Sequence, residues 1–139
     1  MAGRAFLDTK VLVCMFDGRD RAKQERARAA FDGMVPDGIV LSTQVLQEFY
    51  RSVTERLRPG MEPAIAAEVV GDLSSHRVVV LDVPVILRAI GRIEEGGITF
   101  RDALIVEAAL AGGCTRLLTE DMQDGREYDG MRVENPFRP

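Results

Sequence analysis

The sequence has few of the residues that carry most metal and nucleophile chemistry. Its 139 residues include two cysteines and one histidine. Cys14 and Cys114 are far apart and lack CxxC spacing, which argues against a zinc site built from His and Cys. The pattern predicts two free, buried thiols, with a structural disulfide as the alternative. His76, the single histidine, precedes a predicted strand, so we expect a capping or surface role for it.

Long apolar runs and an excess of positive charge are also missing. No run approaches the roughly 20 residues that span a bilayer. No apolar segment with a cleavage pattern precedes the first charged residues, so we expect no signal peptide and a cytoplasmic location. The net charge is -4, so binding of nucleic acid needs a local basic patch or bound metal ions. The motifs GxSxG, GxxxxGK[ST] and GxGxxG do not occur, which removes motif support for serine hydrolases and for nucleotide binding.

The residues that are present predict one globular domain spanning 1–139. The composition is 46% hydrophobic and 29% charged, which is enough apolar material for a core. Short apolar runs alternate with longer helical patterns, and this alternation predicts an α/β fold with a mainly parallel sheet. The run 77–81 has the continuous apolar character of a strand buried on both faces. The predicted strands are 4–8, 39–41, 77–81, 116–118 and 131–133, and the predicted helices are 10–16, 19–34, 43–58, 62–73, 84–95 and 101–111.

Four acidic residues occupy positions from which they can reach one site. Asp8 ends the first strand and Asp121 lies just past the strand 116–118. Ligands of open α/β sheets bind beyond the carboxyl ends of the strands, so these two acids are expected at one edge of the sheet. Glu48 borders the apolar face of the helix after the second strand. Asp102 lies in the first turn of the helix that Thr99 caps, where the helix dipole favours an acid.

Clustered carboxylates have a chemical consequence. They repel one another at neutral pH and need a cation or shared protons. Hard oxygen ligands select Mg²⁺ or Mn²⁺, and such ions activate water and clamp phosphodiesters. The alternative is that each acid has a local role, since the chain carries 22 acidic residues. In that interpretation Asp102 is a helix-terminal charge and Asp121 a turn residue.

Two groups of basic residues and one apolar group each allow two interpretations. The basic groups are either solvated faces mixed with acids or patches that contact phosphate. The apolar group is either part of the core or, in part, a surface that docks a partner helix. The first basic group is Arg19, Arg21, Lys23, Arg26 and Arg28, the second is Arg51, Arg56 and Arg58, and the apolar group is Ile65, Val69 and Val70.

Three stretches of the sequence resemble the motifs of one family. They are FLDTKVLVCMFD, LSTQVLQEFYRSVT and ITFRDALIVEAALAGGCTRLLTEDMQDG. Together they resemble PIN-domain ribonucleases, the group that includes VapC-type toxins of toxin–antitoxin pairs. The resemblance spans nearly the whole chain, with the motifs in order. It matches four residues to the acids of the family, namely Asp8, Glu48, Asp102 and Asp121.

The resemblance implies a fold, an activity and partners. The fold would be a PIN-like three-layer α/β/α sandwich with a mainly parallel central sheet. The activity would be that of a metal-dependent endoribonuclease, the toxin of a type II toxin–antitoxin system, with the four acids holding one or two Mg²⁺ or Mn²⁺ ions while water attacks phosphorus in line. The implied partners are an RNA substrate, a cognate antitoxin protein and a second copy in a homodimer. Supporting roles at the site fall to Thr9, Thr119 and Asp124.

Lys10 departs from the family pattern, which usually has Asn or another small polar residue such as Ser there. Lysine accepts no hydrogen bond, and it places a positive charge in a first helical turn, where the dipole disfavours it. Its stem either extends outward or brings the ammonium to the carboxylates. Our hypothesis is that Lys10 weakens metal binding without abolishing it. The alternative functions are a catalytically weakened PIN-fold binding module and, less favoured by the small size, a nuclease acting on DNA or flaps.

Overall fold

Strands and helices alternate along the chain, and most of their boundaries lie close to the predicted ones. The computed structural model describes residues 3–138. The elements are β1 (Ala5–Leu7), α1 (Thr9–Cys14), α2 (Arg21–Met34), β2 (Ile39–Ser42), α3 (Thr43–Arg51), α4 (Pro63–Leu73), β3 (Arg77–Val79), α5 (Val83–Glu95), α6 (Phe100–Ala111), β4 (Arg116–Leu118), β5 (Glu127–Tyr128) and β6 (Met131–Glu134).

Side-chain caps determine where most of the helices begin. A capping oxygen satisfies one of the backbone N–H groups that have no partner in the first turn. Five helices start in this way, and the capping residues are Asp8 for α1, Asp20 for α2, Ser42 for α3, Asp82 for α5 and Thr99 for α6. Two of these caps, Asp8 and Ser42, lie directly at strand ends. The chain therefore turns from strand to helix at the carboxyl edge of the sheet.

Within the described residues, the sheet has six strands in the order β3-β2-β1-β4-β6-β5. β1 pairs in parallel with β2 on one side and with β4 on the other. β5 alone among the described strands runs antiparallel, in a hairpin with β6. The chain moves outward from β1 to β3 and then returns to the other side of β1 at β4. This change of direction leaves a crevice beyond the ends of β1 and β4, where ligands of such sheets bind.

The helices pack in two groups, α1 to α4 and α5 with α6. Together with the sheet they form the predicted α/β/α sandwich. The core is built from the three central strands and the buried faces of α1, α3 and α6, and Phe6, Leu7 and Phe49 are among its largest fully buried side chains. Burial on both faces explains why β1 is apolar throughout and why β2 and β4 are apolar except at Ser42 and Arg116.

Two predictions about the elements need correction, and one strand was missed. The prediction that 77–81 is buried on both faces is wrong: β3 forms an edge of the sheet, Arg77 is exposed and Val80 is 65% exposed. The single helix predicted for 43–58 ends at Arg51 and continues as a π-helical segment, Ser52–Arg56. β5 was not predicted, because a two-residue strand leaves no periodic pattern.

Other sequence expectations have clear outcomes. Both cysteines are free thiols, as predicted, but only Cys114 is buried; the prediction of burial is wrong for Cys14, which is partly exposed. The His76 ring contacts Phe31 edge-on, with 5.5 Å between ring centroids. Ile65 is 50% exposed, whereas Val69 and Val70 pack partly against the core. Among residues 3–138, every helix is too short or too polar to cross a membrane.

Candidate active site

Asp8 lies at the centre of the carboxyl edge, and its side chain is fully buried. Its own N–H donates to the Leu118 carbonyl, which ties the end of β1 to β4. One carboxylate oxygen, Oδ1, accepts from the Thr9 N–H at 2.7 Å. The other, Oδ2, accepts from the Thr119 hydroxyl at 2.7 Å. A buried carboxylate is costly unless it is fully bonded, so these contacts both permit and orient it.

Glu48 is brought to Asp8 by the packing of α3 on α1. The buried side chains of Val45 and Phe49 hold α3 against the core. The Thr9 hydroxyl then donates to Glu48 Oε1 at 2.6 Å. Thr9 therefore bonds both acids, Asp8 through its backbone and Glu48 through its side chain.

Asp102 joins the cluster through its neighbour Arg101. Thr99 caps α6 by accepting from the Asp102 N–H at 3.2 Å, as the sequence predicted. The Arg101 guanidinium donates to Asp102 Oδ1 at 3.0 Å, to Asp8 Oδ1 at 2.7 Å and to Glu48 Oε1 at 2.7 Å. Three of the predicted acids thus surround one guanidinium.

Arg101 is held firmly in its charged form. Burial lowers the pKa of Arg101, but the hydrogen bonds that it donates to Asp8 and Glu48 outweigh that effect and raise the pKa above its ordinary value. The guanidinium is the cation that allows the three carboxylates to stay close together.

Asp121, the fourth acid, lies at the rim of the same cleft. Its N–H donates to the Thr119 hydroxyl at 3.2 Å, so Thr119 bonds both Asp8 and Asp121. The Lys10 ammonium lies 3.1 Å from Asp121 Oδ1. Of the two orientations considered for Lys10, the structure shows the ammonium turned to a carboxylate. It reaches the outermost acid, and its side chain remains 59% exposed.

Asp124, predicted to support the site, is not part of the cluster. Its Oδ1 accepts from the Asn135 N–H at 2.8 Å, and Arg138 approaches its other oxygen. Asp124 therefore ties the end of the loop after β4 to the segment after β6. The acidic pattern TED-x-QDG placed both aspartates in one loop and did not distinguish which of them faces the cleft.

The cleft itself holds about 260 Å³ and mixes both signs of charge. The partly buried Glu48 and Arg101 line it, and its exposed mouth carries Asp121 and two basic residues, Arg51 at the end of α3 and Arg56 in the π-helical segment. π-helical segments occur frequently at functional sites. Here the segment turns Ser52 and Arg56 toward the same space as the acids.

The donor set suits a hard divalent cation in its chemistry. Carboxylate oxygens are the ligands that Mg²⁺ and Mn²⁺ prefer, and a fully buried, oriented Asp8 is a preformed donor. Within residues 3–138, however, no group of three or more His, Cys, Asp or Glu side chains is arranged to hold a metal ion directly. The space between the acids of the site is taken by the Arg101 guanidinium.

Sequence reasoning did not identify Arg101, although a signal was present. Arg101 and Lys10 are each the second residue of a helix, α6 and α1. A cation there opposes the helix dipole, so it needs carboxylate partners nearby. The unfavourable helix dipole that drew attention to Lys10 acts on Arg101 in the same way.

Comparisons with known proteins agree with this architecture. A model of the PIN domain family matches residues 5–124. The comparison with curated protein sequences gave no match. The solved structures named next have low sequence identity to this chain, so their similarity shows a shared fold alone. Similar solved structures are a toxin–antitoxin complex from Klebsiella pneumoniae (TM-score 0.73, 19% identity, 97% of this chain and 99% of that chain), the sarcin-ricin-loop-cleaving toxin VapC20 of Mycobacterium tuberculosis (0.64, 22%, 81% and 86%) and DNA-bound VapBC from Salmonella typhimurium (0.67, 18%, 98% and 99%).

Proposed function

Because the chain belongs to the PIN domain family, we propose that it is a metal-dependent endoribonuclease and the toxin of a type II toxin–antitoxin pair. The observation that carries the proposal is the gathering of Asp8, Glu48 and Asp102 around one cation, with Asp121 on the same cleft. Two strand ends and two helices deliver these acids to one edge of the sheet. Their shared negative charge calls for cations, as hydrolysis of a phosphodiester does.

The chain's own residues orient the acids before a substrate arrives. Thr119 and the Thr9 backbone fix the Asp8 carboxylate, and the Thr9 hydroxyl fixes Glu48. We assign Asp8, Glu48, Asp102 and Asp121 as the ligands of Mg²⁺ or Mn²⁺. When bound, such an ion supplies an activated water and neutralises charge on the phosphoryl oxygens.

The RNA backbone is expected to enter across the basic mouth of the cleft. Arg51 and Arg56 line that mouth and are our candidates for phosphate contacts. The basic side chains of α2 are weaker candidates because none of them lines the cleft. Three of them are bonded elsewhere in the chain: Lys23 to Glu120, Arg26 to the Phe137 carbonyl and Arg28 to the Met15 carbonyl.

The similar structures also motivate the proposed partners. The Klebsiella structure is described as a toxin–antitoxin complex, and VapC20 is described as a sarcin-ricin-loop-cleaving toxin. By analogy we propose RNA as the substrate and a cognate antitoxin as the protein partner of this chain. We also propose a homodimer, a single domain over residues 1–139 and a cytoplasmic location.

A second candidate function is a catalytically weakened binding module. The observation that favours it is that two of the cations lining the cleft, Arg101 and Lys10, already pair with the acids of the site. A module of this kind would keep the fold and bind partners without cutting RNA.

An RNA cleavage assay separates the two functions. Purified protein is incubated with a mixed RNA pool and Mn²⁺, with and without EDTA, beside two variants. Asp8→Ala removes the central acid, and Asp32→Ala removes an exposed acid of α2 as the matched control. Metal-dependent cleavage that Asp8→Ala loses and Asp32→Ala keeps supports the enzyme. No cleavage by folded wild-type protein supports the binding module.

A further inference from the structure

We infer that Arg101 occupies the cation position of the acidic cluster, so that a divalent ion binds only when the guanidinium leaves. The chain then carries its own competitor for the metal. This inference rests on the metal dependence proposed above and adds the residue that controls loading.

While Arg101 is in place, the Asp8 carboxylate has no acceptor position left for a metal ion. An ionised carboxylate offers about four acceptor positions. Asp8 uses two for the Thr9 N–H and the Thr119 hydroxyl, which are local and fixed by the fold. The other two face Arg101, with Nη2 at 2.7 Å and Nη1 at 3.4 Å. A metal ion can bind this carboxylate only by taking a position that Arg101 now holds.

The Arg101 guanidinium also bonds the other two acids of the cluster. All three of its nitrogens are used: Nε and Nη2 donate to the two oxygens of Glu48, at 3.2 and 2.7 Å, and Nη1 donates to Asp102 at 3.0 Å. The same group therefore covers the three acids that would form the core of a metal site. A surface arginine with one partner would leave the others open.

Charge and exposure indicate that the guanidinium is displaceable. One guanidinium neutralises one of three carboxylate charges, so the cluster keeps two negative charges. It therefore attracts a divalent cation more strongly than it attracts the single positive charge of Arg101. The Arg101 side chain is 35% exposed and borders the cleft. Its long stem can carry the charge into that space, away from the first turn of α6, where the dipole disfavours it.

Equilibrium Mn²⁺ binding tests the inference without any RNA. Free Mn²⁺ is measured by electron paramagnetic resonance in titrations of the wild type, Arg101→Gln and Arg51→Gln. Arg51 lies on the same cleft and bonds Glu55 rather than the cluster, so its variant removes the same charge nearby. If Arg101 excludes the ion most of the time, Arg101→Gln binds Mn²⁺ roughly tenfold tighter, while Arg51→Gln changes affinity by about twofold at most.

The outcomes separate this inference from the proposed function. Tighter binding by Arg101→Gln alone supports the inference, also where the wild type binds no Mn²⁺. Equal or weaker binding by folded Arg101→Gln overturns it and leaves the metal-dependent enzyme standing. An equal gain in both variants also overturns it, because general charge then explains the effect. Absence of binding in every protein overturns both.

A measurement on the wild type keeps the test valid if Arg101→Gln fails to fold. Phenylglyoxal modifies accessible arginines, and mass spectrometry locates the modified residue. We expect Arg101 modification to increase at least about threefold at saturating Mn²⁺, since the displaced guanidinium faces solvent. Modification of Arg101 that stays unchanged or falls on Mn²⁺ binding contradicts the displacement.

Discussion

At the scale of single residues, Thr119 joins the buried and the exposed ends of the candidate site. It is fully buried, donates to Asp8 and accepts from the Asp121 N–H. One hydroxyl thus links the innermost acid to the outermost one. Its position just past β4 was visible in the sequence, but the direction of its hydroxyl depends on the pairing of β4 with β1.

Replacing Thr119 tests this connection. Thr119→Val keeps the shape and removes the hydroxyl, so a buried carboxylate loses one donor. We expect the free energy of unfolding to fall by about 2 kcal/mol. Urea unfolding monitored by circular dichroism measures it, with Thr119→Ser as the control that restores the hydroxyl. If Thr119→Val is as stable as the wild type, the hydroxyl does not carry the proposed connection.

Lys10 has a smaller expected effect than Arg101. Its ammonium pairs with Asp121 at the exposed rim, where ion pairs contribute little. Lys10→Asn should therefore strengthen Mn²⁺ binding by only about threefold. Isothermal titration of wild type and variant with Mn²⁺ measures the difference. Equal affinities would show that Lys10 does not weaken metal binding.

Cys114 gives a prediction that depends on pH. Burial raises the pKa of its thiol to about 12, while the unfolded chain releases that proton near its ordinary value of 9.0. The thiolate is the reactive form, so at pH 8 iodoacetamide should label Cys114 at least about tenfold more slowly in the folded than in the unfolded protein. The same difference makes this thiol's contribution to folding stability fall as pH rises from about 9 to about 12. Peptide mass spectrometry after timed labelling measures the rate, and equal rates in the two states would contradict the burial effect.

At the scale of elements, the pairing of α5 with α6 positions the first turn of α6 and hence Arg101 and Asp102. Glu107 of α6 is 5% exposed. Arg92 of α5 lies 2.6 Å from it, and Arg88 lies at 3.5 Å. Arg92 also bonds Asp129 in the turn between β5 and β6. Three elements therefore depend on one arginine.

Breaking this pair should destabilise the protein strongly. Arg92→Met leaves Glu107 buried with the more distant Arg88 as its cation, and we expect a loss of about 3 kcal/mol in unfolding free energy. The double variant Arg92→Met with Glu107→Leu removes both charges and should recover at least half of that loss. Urea unfolding of the four proteins of this mutant cycle measures the coupling. A double variant less stable than Arg92→Met would contradict it.

At the scale of the whole molecule, the sequence predicted what depends on local pattern. Caps at Ser42 and Thr99 and the largely apolar central strands follow from residue chemistry, so an α/β fold with a mainly parallel sheet and the edge that carries Asp8 could be predicted. The three-layer sandwich was implied by the resemblance to PIN domains. The order of strands in the sheet leaves no such local signal. The edge position of β3 therefore appeared only in the structure. The orientation of Asp124 away from the acidic cluster, toward the Asn135 N–H, also appeared only there.

The mixed charge of the cleft was also a tertiary property. Arg101 stands beside Asp102 in the sequence, yet its contacts to Asp8 and Glu48 join β1, α3 and α6. No spacing rule connects positions so far apart in the chain. Four acids suggested a cation, and the structure shows that the chain itself supplies one.

The nature of the RNA ends tests the central claim most directly. Wild-type protein is incubated with RNA and Mn²⁺ in ¹⁸O-labelled water, and mass spectrometry identifies the termini of any products. Attack by water in line expels the 3′ oxygen, so we predict 3′-hydroxyl ends and 5′-phosphates that each carry one ¹⁸O. These products should be absent with Asp8→Asn. Ends with 2′,3′-cyclic phosphate, or cleavage that persists in Asp8→Asn and in EDTA, would contradict a metal-dependent hydrolase built on these acids.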